Sequence, residues 1–251
     1  MRRETQNVLL ILLGGALVKI ALNGDYLRYV KPAQQPWIIA GGAVMVVLGA
    51  IAIVRDLLAA RARASAPPVS AEDAHDHGAG EGHHHAARSA WLLVLPVLAV
   101  FLVAPPALGS DSVTRTEARA PQSSAAADAA AFPPLPADSV VSLPLNQFVS
   151  RAGWDHNGTL NGRTVSLSGF VVHTGGSTLL ARLVITCCAA DAFPATVRLL
   201  GGGADHLASD TWIQVTGQVV PGTATKANGY TPDLTATTVT PIPAPKDPYE
   251  Y

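Results

Sequence analysis

The chain has 251 residues, 49% of them apolar and only 14% charged, with a formal net charge of −1. Soluble domains carry roughly 25% charged residues, so one ordinary globule is excluded, and the charge offers nothing to a nucleic acid. Its two cysteines are adjacent, which excludes a disulfide-stapled scaffold.

A first membrane span is predicted over about residues 8–30, around an apolar core at 8–22. At roughly 1.5 Å per residue the core alone is shorter than a ~30 Å hydrocarbon layer, so its flanks must contribute. Arg2 and Arg3 precede it, no A-x-A cleavage signature follows it, and Asn23-Gly24-Asp25 reads as its end; an uncleaved anchor is expected. Lys19, inside the run, is read as snorkelling to the nearer interface. Pro32 and Pro36 mark the turn into a second span at 37–54, opened by Trp37 and closed by Arg55. A third span is expected at 90–109, opened by Trp91, kinked at Pro96 and ended by Pro105-Pro106. Gly14, Gly15, Gly41, Gly42 and Gly49 offer small faces where helices could approach closely.

Arginine placement sets the orientation. Arg2, Arg3, Arg55, Arg61, Arg63 and Arg88 put the N-terminus and the second loop in the cytoplasm, and three spans then leave the C-terminal half outside. The second loop, residues 59–89, is rich in Ala, Pro and Gly and is expected to be disordered. It carries His75, His77, His83, His84 and His85 among carboxylates, a composition that suits either loose metal binding or an inert linker. Their spacing matches no defined metal motif.

Residues 110–138 read as an Ala/Ser/Pro-rich disordered tether to an extracytoplasmic β domain at 139–251. There, Trp154-Asp155-His156-Asn157-Gly158 reads as a turn. Strand-like runs follow at 164–173, 179–188, 195–200, 211–220 and 234–242, with Gly175-Gly176, Gly201-Gly202-Gly203 and Pro221-Gly222 as turns. Mid-strand Gly169 and Gly217 suit the coiling of a small closed barrel. The expected fold class is therefore membrane-anchored α plus β: three transmembrane helices followed by a small OB-like β-barrel, with an open sandwich as the alternative.

The candidate site is Cys187, Cys188 and Asp191. Three readings stand open. The thiolates could bind zinc or another soft transition metal with Asp191, and with His173 or His206 completing the shell. They could form a strained, redox-labile vicinal disulfide, or one could simply pack as a small apolar residue. Taken singly, His156 and His173 read as surface or turn residues. Because successive strand residues face opposite ways, joint coordination needs the strand to end or bulge at the pair. No Ser-His-Asp order, phosphate loop, H-E-x-x-H or paired-carboxylate constellation appears, so no enzyme is expected.

The order of spans, the stretch Arg182-Leu183-Val184-Ile185-Thr186-Cys187-Cys188-Ala189-Ala190-Asp191-Ala192, the segment 210–217 and the terminal Pro248-Tyr249-Glu250-Tyr251 resemble the YcgQ-type family of bacterial permease subunits. The Cys-Cys-x-x-Asp stretch is the most specific element of that resemblance. It implies a polytopic permease partner in the cytoplasmic membrane, with this chain as the smaller half of a two-component system. On that expectation the chain is an accessory subunit whose outer domain binds a metal or metalloid ion. The alternatives are a membrane-tethered redox or metal sensor and a purely structural anchor.

Overall fold

A computed structural model of the chain describes residues 3–64, 95, 98, 99, 102, 103, 106–116 and 132–251. The described residues fall into two units, one within Met1–Tyr26 and Ala33–Pro105, the other within Leu27–Pro32 and Pro106–Tyr251.

The first unit is a pair of apolar helices, α1 (Arg3–Asn23) and α2 (Gln35–Ala64). Both are long and apolar enough to cross a membrane, over Gln6–Asn23 and Pro32–Ala62. The first is shorter than the expected 8–30 span. Gly24 follows it with φ +84°, a left-handed conformation that glycine adopts without a Cβ clash, and Asp25–Arg28 turn as a 3-10 helix. The second runs past its expected end at Val54, because Leu57, Leu58 and the alanines and arginines that follow are strong helix formers. Residues 59–64 of the expected second loop therefore belong to α2. His75, His77, His83, His84 and His85 lie outside the described residues, as does most of the expected third span. Of that span, Leu95, Leu98, Ala99 and Leu102 are helical, and the Val103 N–H donates to the Ala99 carbonyl at 2.8 Å. Among the described residues, two helices rather than three meet the length and hydropathy needed to cross.

The helices touch at glycines. A Cβ on Gly14 would lie 2.7 Å from the Gly42 carbonyl oxygen, one on Gly42 would lie 2.8 Å from that of Gly14, and one on Gly49 would meet Ile11 at 2.6 Å. Gly15 and Gly41 meet nothing. The backbones are close because no side chain stands between them, the small-residue packing of membrane helices. Gly42→Leu is accordingly expected to destabilise the hairpin by about 2 kcal/mol, while Gly41→Leu changes little. Thermal unfolding of the detergent-solubilised chain compares the two.

The second unit is a sheet of strands β1 (Val140–Ser142), β2 (Thr164–Thr174), β3 (Ser177–Val184), β4 (Phe193–Leu200), β5 (Trp212–Val220), β6 (Asp233–Pro241) and β7 (Tyr249–Glu250). It carries two helices, α3 (Ser110–Arg115) and α4 (Leu145–Trp154). Strand β2 pairs antiparallel with β5, β5 with β6, β6 in parallel with β4, β4 antiparallel with β3, and β3 antiparallel with β2 again. The pairings thus form a circuit, with β1 added in parallel to β2 and β7 in parallel to β3. Strong coiling is built in at Gly217, beside an irregularity in the β5–β6 register, where any Cβ would collide with the Thr235 carbonyl oxygen.

One core cluster lies between α4 and the sheet: Leu145, Phe148 and Val149 meet Leu167, Leu180, Ile213 and Val215. A second holds Val113 of α3 with Phe170, Val172, Leu183, Ile185 and Tyr249. Leu145, Phe148 and Val149 recur at helical spacing, so a helix forms ahead of the turn expected at 154–158. The ends of the expected tether are likewise part of this unit. Asp210 accepts from the Ser110 N–H at 2.6 Å and from its hydroxyl at 2.8 Å, and the Pro133 carbonyl accepts from buried Arg151 at 2.9 Å. Residues 117–131 lie outside the described residues.

Candidate functional site

Strand β3 ends at Val184, earlier than the expected 188, because its backbone donors find other acceptors beyond that point. The Ile185 N–H donates to the Glu250 carbonyl at 2.9 Å. The two Asp191 carboxylate oxygens take the Thr186 and Cys187 N–H groups, each at 2.8 Å. A 3-10 turn, Ala189–Asp191, returns the aspartate to this position, with Asp191 N–H bonded to the Cys188 carbonyl at 3.0 Å. The cysteine pair therefore sits in a loop clamped by its own carboxylate, free of the strand alternation that would have turned the side chains to opposite faces.

Cys187 is exposed, Cys188 is partly buried, and both are free thiols. Their sulfurs lie 3.6 Å apart, and the ligand atoms of Cys187, Cys188 and Asp191 all fall within 4.8 Å of one another. Tetrahedral zinc with bonds to sulfur of about 2.3 Å places two thiolates roughly 3.8 Å apart, close to the separation here. The Asp191 carboxylate, accepting from the Cys187 S–H, pushes that thiol up to about 11, and the neighbouring Cys188 adds to the shift. The same bond, followed by the backbone N–H groups of Thr186, Cys187 and Cys188, holds Asp191 below its ordinary range. At neutral pH Cys187 is thus a protonated thiol, and an ion must displace its proton to bind.

The loop rests on residues that sequence reasoning did not single out as functional. Arg182 is buried, stacks over the Trp212 ring at 4.9 Å, donates to the Tyr249 carbonyl at 3.1 Å and faces Glu250 at 3.9 Å. Burial lowers the Arg182 guanidinium pKa, against the opposing pull of Glu250 and Asp247. Glu250 in turn accepts from the Leu145 and Asn146 N–H groups at 2.8 and 2.7 Å, capping α4 where Pro144 supplies no side-chain cap. On the other side, Cys188 pairs antiparallel with Val30, and the Ala189 N–H donates to the Tyr29 carbonyl at 2.7 Å. A charged residue inside the apolar run at Arg182, and an acid between two tyrosines near residue 250, were the available signals. The partnership with residues 29 and 30 left none.

His173 and His206 do not join the thiols. His173 contacts the Leu207 carbonyl at 2.7 Å and the Thr178 hydroxyl at 3.2 Å, beside the β2–β3 hairpin. His206 is exposed beside Asp205, at 3.5 Å. The hairpin begins β3 and the cysteines follow its end, so roughly 20 Å of strand separates His173 from the pair. His156 lines a separate cleft of about 320 Å³ with Trp154, Asn161 and Pro221. There Asp155 is occupied by the Asn157 and Thr159 N–H groups, both at 2.9 Å, so it serves the turn expected at 154–158.

Two family models match the chain: the DUF1980 N-terminal domain over residues 5–118 and the DUF1980 C-terminal domain over residues 153–251. The chain belongs to the DUF1980 family. That assignment is consistent with the resemblance to the YcgQ-type family. The C-terminal match holds Arg182, the cysteine loop, Tyr249 and Glu250, and the N-terminal match holds nearly all of α1, together with α2 and Val30. No curated protein and no solved structure matches the chain.

Proposed function

We propose that this DUF1980 protein is the smaller, membrane-anchored subunit of a two-part transport system. Its β unit is an OB-like barrel on the extracytoplasmic side, and it binds a soft or borderline metal ion, zinc first, at Cys187, Cys188 and Asp191. The observation that carries the ion is the convergence of two sulfurs and a carboxylate within 4.8 Å on an exposed loop. Two thiolates with one carboxylate suit zinc-like ions better than magnesium or calcium, which prefer all-oxygen shells. The circuit of five strands, with its one parallel pairing between β4 and β6, supports the OB-like reading.

Connectivity supports the topology. Leu27–Pro32 joins two helices able to cross a membrane, and it is part of the β unit, so that loop and the β domain share a side. With α2 leading the chain away from that side, the return of residue 106 to the β unit favours the apolar run at 90–109 as a third span. The arginines flanking the spans then favour a cytoplasmic N-terminus and an outer β domain. The partner is a polytopic permease, which the family resemblance supports. The exposed Val44, Val47, Leu48 and Ile51 of α2 offer it, or lipid, an apolar face.

Zinc titration of the purified full chain tests the ion reading. The wild type is expected to bind one ion per chain, more tightly as pH rises and the Cys187 proton becomes easier to displace. The double variant Cys187→Ser, Cys188→Ser should lose at least about 100-fold in affinity. Equal affinity in both proteins would overturn the reading.

A further inference from the structure

The loop that carries the thiols also carries a backbone junction. Cys188 is at once a candidate ligand and the strand partner of Val30, and the next residue holds the Tyr29 carbonyl through its N–H at 2.7 Å. One turn of chain away, the Tyr249 phenol donates to the Arg28 carbonyl at 3.0 Å and accepts from the Leu108 N–H at 3.2 Å. Tyr249 belongs to β7, paired beside Leu183, and is buried. The short segment between the two apolar helices, and the chain resuming at residue 106, are thus both fastened next to the cysteine loop.

We infer that the ion site and the interhelical segment Leu27–Pro32 are energetically coupled, so that site occupancy is reported to the helical hairpin and the hairpin in turn sets ion affinity. This rests on the ion reading above for its ligand, while the backbone junction stands apart from it. The physical reason is freedom of the loop. Without an ion, residues 185–191 are held by the Asp191 clamp and by the contacts to residues 29 and 30. An ion cross-links Cys187, Cys188 and Asp191, which removes motion from the edge on which Val30 is paired, so the second ordering event costs less once the first has occurred. Linkage makes the effect reciprocal: whatever pulls Leu27–Pro32 away weakens ion binding by the same factor. A permease that grips α1 and α2 would gain a means of loading or releasing the ion from within the membrane.

Ala189→Pro isolates the junction. It deletes the N–H that Tyr29 accepts, at the first position of a 3-10 turn where proline is tolerated. The preceding Cys188 is already extended, with φ −155° and ψ 167°, as a residue before proline must be. The experiment is hydrogen exchange on the full chain in detergent, with and without Zn²⁺, for wild type and Ala189→Pro, with Cys188 modification by a disulfide reagent as a metal-free readout. In the wild type, Zn²⁺ should slow exchange both at 185–192 and, about five-fold, at 27–31. In Ala189→Pro the first effect should persist and the second vanish, and Cys188 should react about five-fold faster without metal. Protection confined to 185–192 in the wild type would overturn the coupling and leave the ion site standing. Protection at neither place would overturn the ion reading and the coupling together, whereas an unchanged metal-free Cys188 rate in Ala189→Pro would overturn the coupling alone.

Discussion

Asp191→Asn is expected to raise the rate at which a disulfide reagent modifies Cys187 by up to about ten-fold at pH 8, measured in a Cys188→Ser background. The carboxylate favours the protonated thiol, both by accepting its S–H and by opposing a second negative charge, and is the largest cause, ahead of Cys188, of the rise of Cys187 to about 11 in the native chain. Removing the charge brings the thiol back down. A full return to an ordinary 9.0 would raise the thiolate fraction at pH 8 by roughly 100-fold, while the less basic thiolate would be roughly ten-fold less nucleophilic, which sets about ten-fold as the ceiling. The pH profile carries the same sign. With Asp191 present the rate should go on climbing to a higher pH than in Asp191→Asn. A rate that is unchanged or slower in Asp191→Asn would show that the carboxylate does not govern the thiol.

Glu250→Ala is expected to cost the β unit about 3 kcal/mol, because it strands a buried arginine and uncaps a helix together. Arg182 and Glu250 are both about one-tenth exposed, and the two N–H groups at the start of α4 have the Glu250 carboxylate as their acceptor. Alanine removes the charge that Arg182 faces and both acceptors. Glu250→Gln keeps one acceptor and no charge, and should fall between wild type and alanine. Hydrogen exchange of the β3 amides under increasing denaturant reads the loss directly, since Leu183 and Val184 pair with Tyr249 and Glu250. A midpoint unchanged in Glu250→Ala would remove the pair from any role in holding the cysteine loop.

Much of the strand layout was legible because β periodicity and glycine turns are local. The expected runs at 164–173, 195–200, 211–220 and 234–242 match β2, β4, β5 and β6 to within two residues at their ends. The run at 179–188 was overextended because other acceptors take the N–H groups that would have continued the ladder: Glu250, 65 residues on, takes that of Ile185, and Asp191, a few residues on, takes those of Thr186 and Cys187. The helix α4 was missed because its apolar face is short and its cap comes from Glu250. His173 does not reach the thiols because a strand's length separates it from them.

Sequence by itself determined the apolar helices, the turn glycines and the nearness of Asp191 to Cys187 and Cys188. Each follows from hydropathy, side-chain size or spacing within a few residues, where covalent geometry leaves little freedom. Of the five glycines the sequence offered for helix contact, the structure selects Gly14, Gly42 and Gly49. Tertiary structure alone decided that Arg182 and Glu250 hold the cysteine loop, and that the loop's other edge is Val30. Those partners lie 68 residues down the chain in one case and 158 up it in the other. Only closure of the strand circuit brings β7 beside β3, and no local propensity can encode a contact whose partners meet only after the sheet has formed.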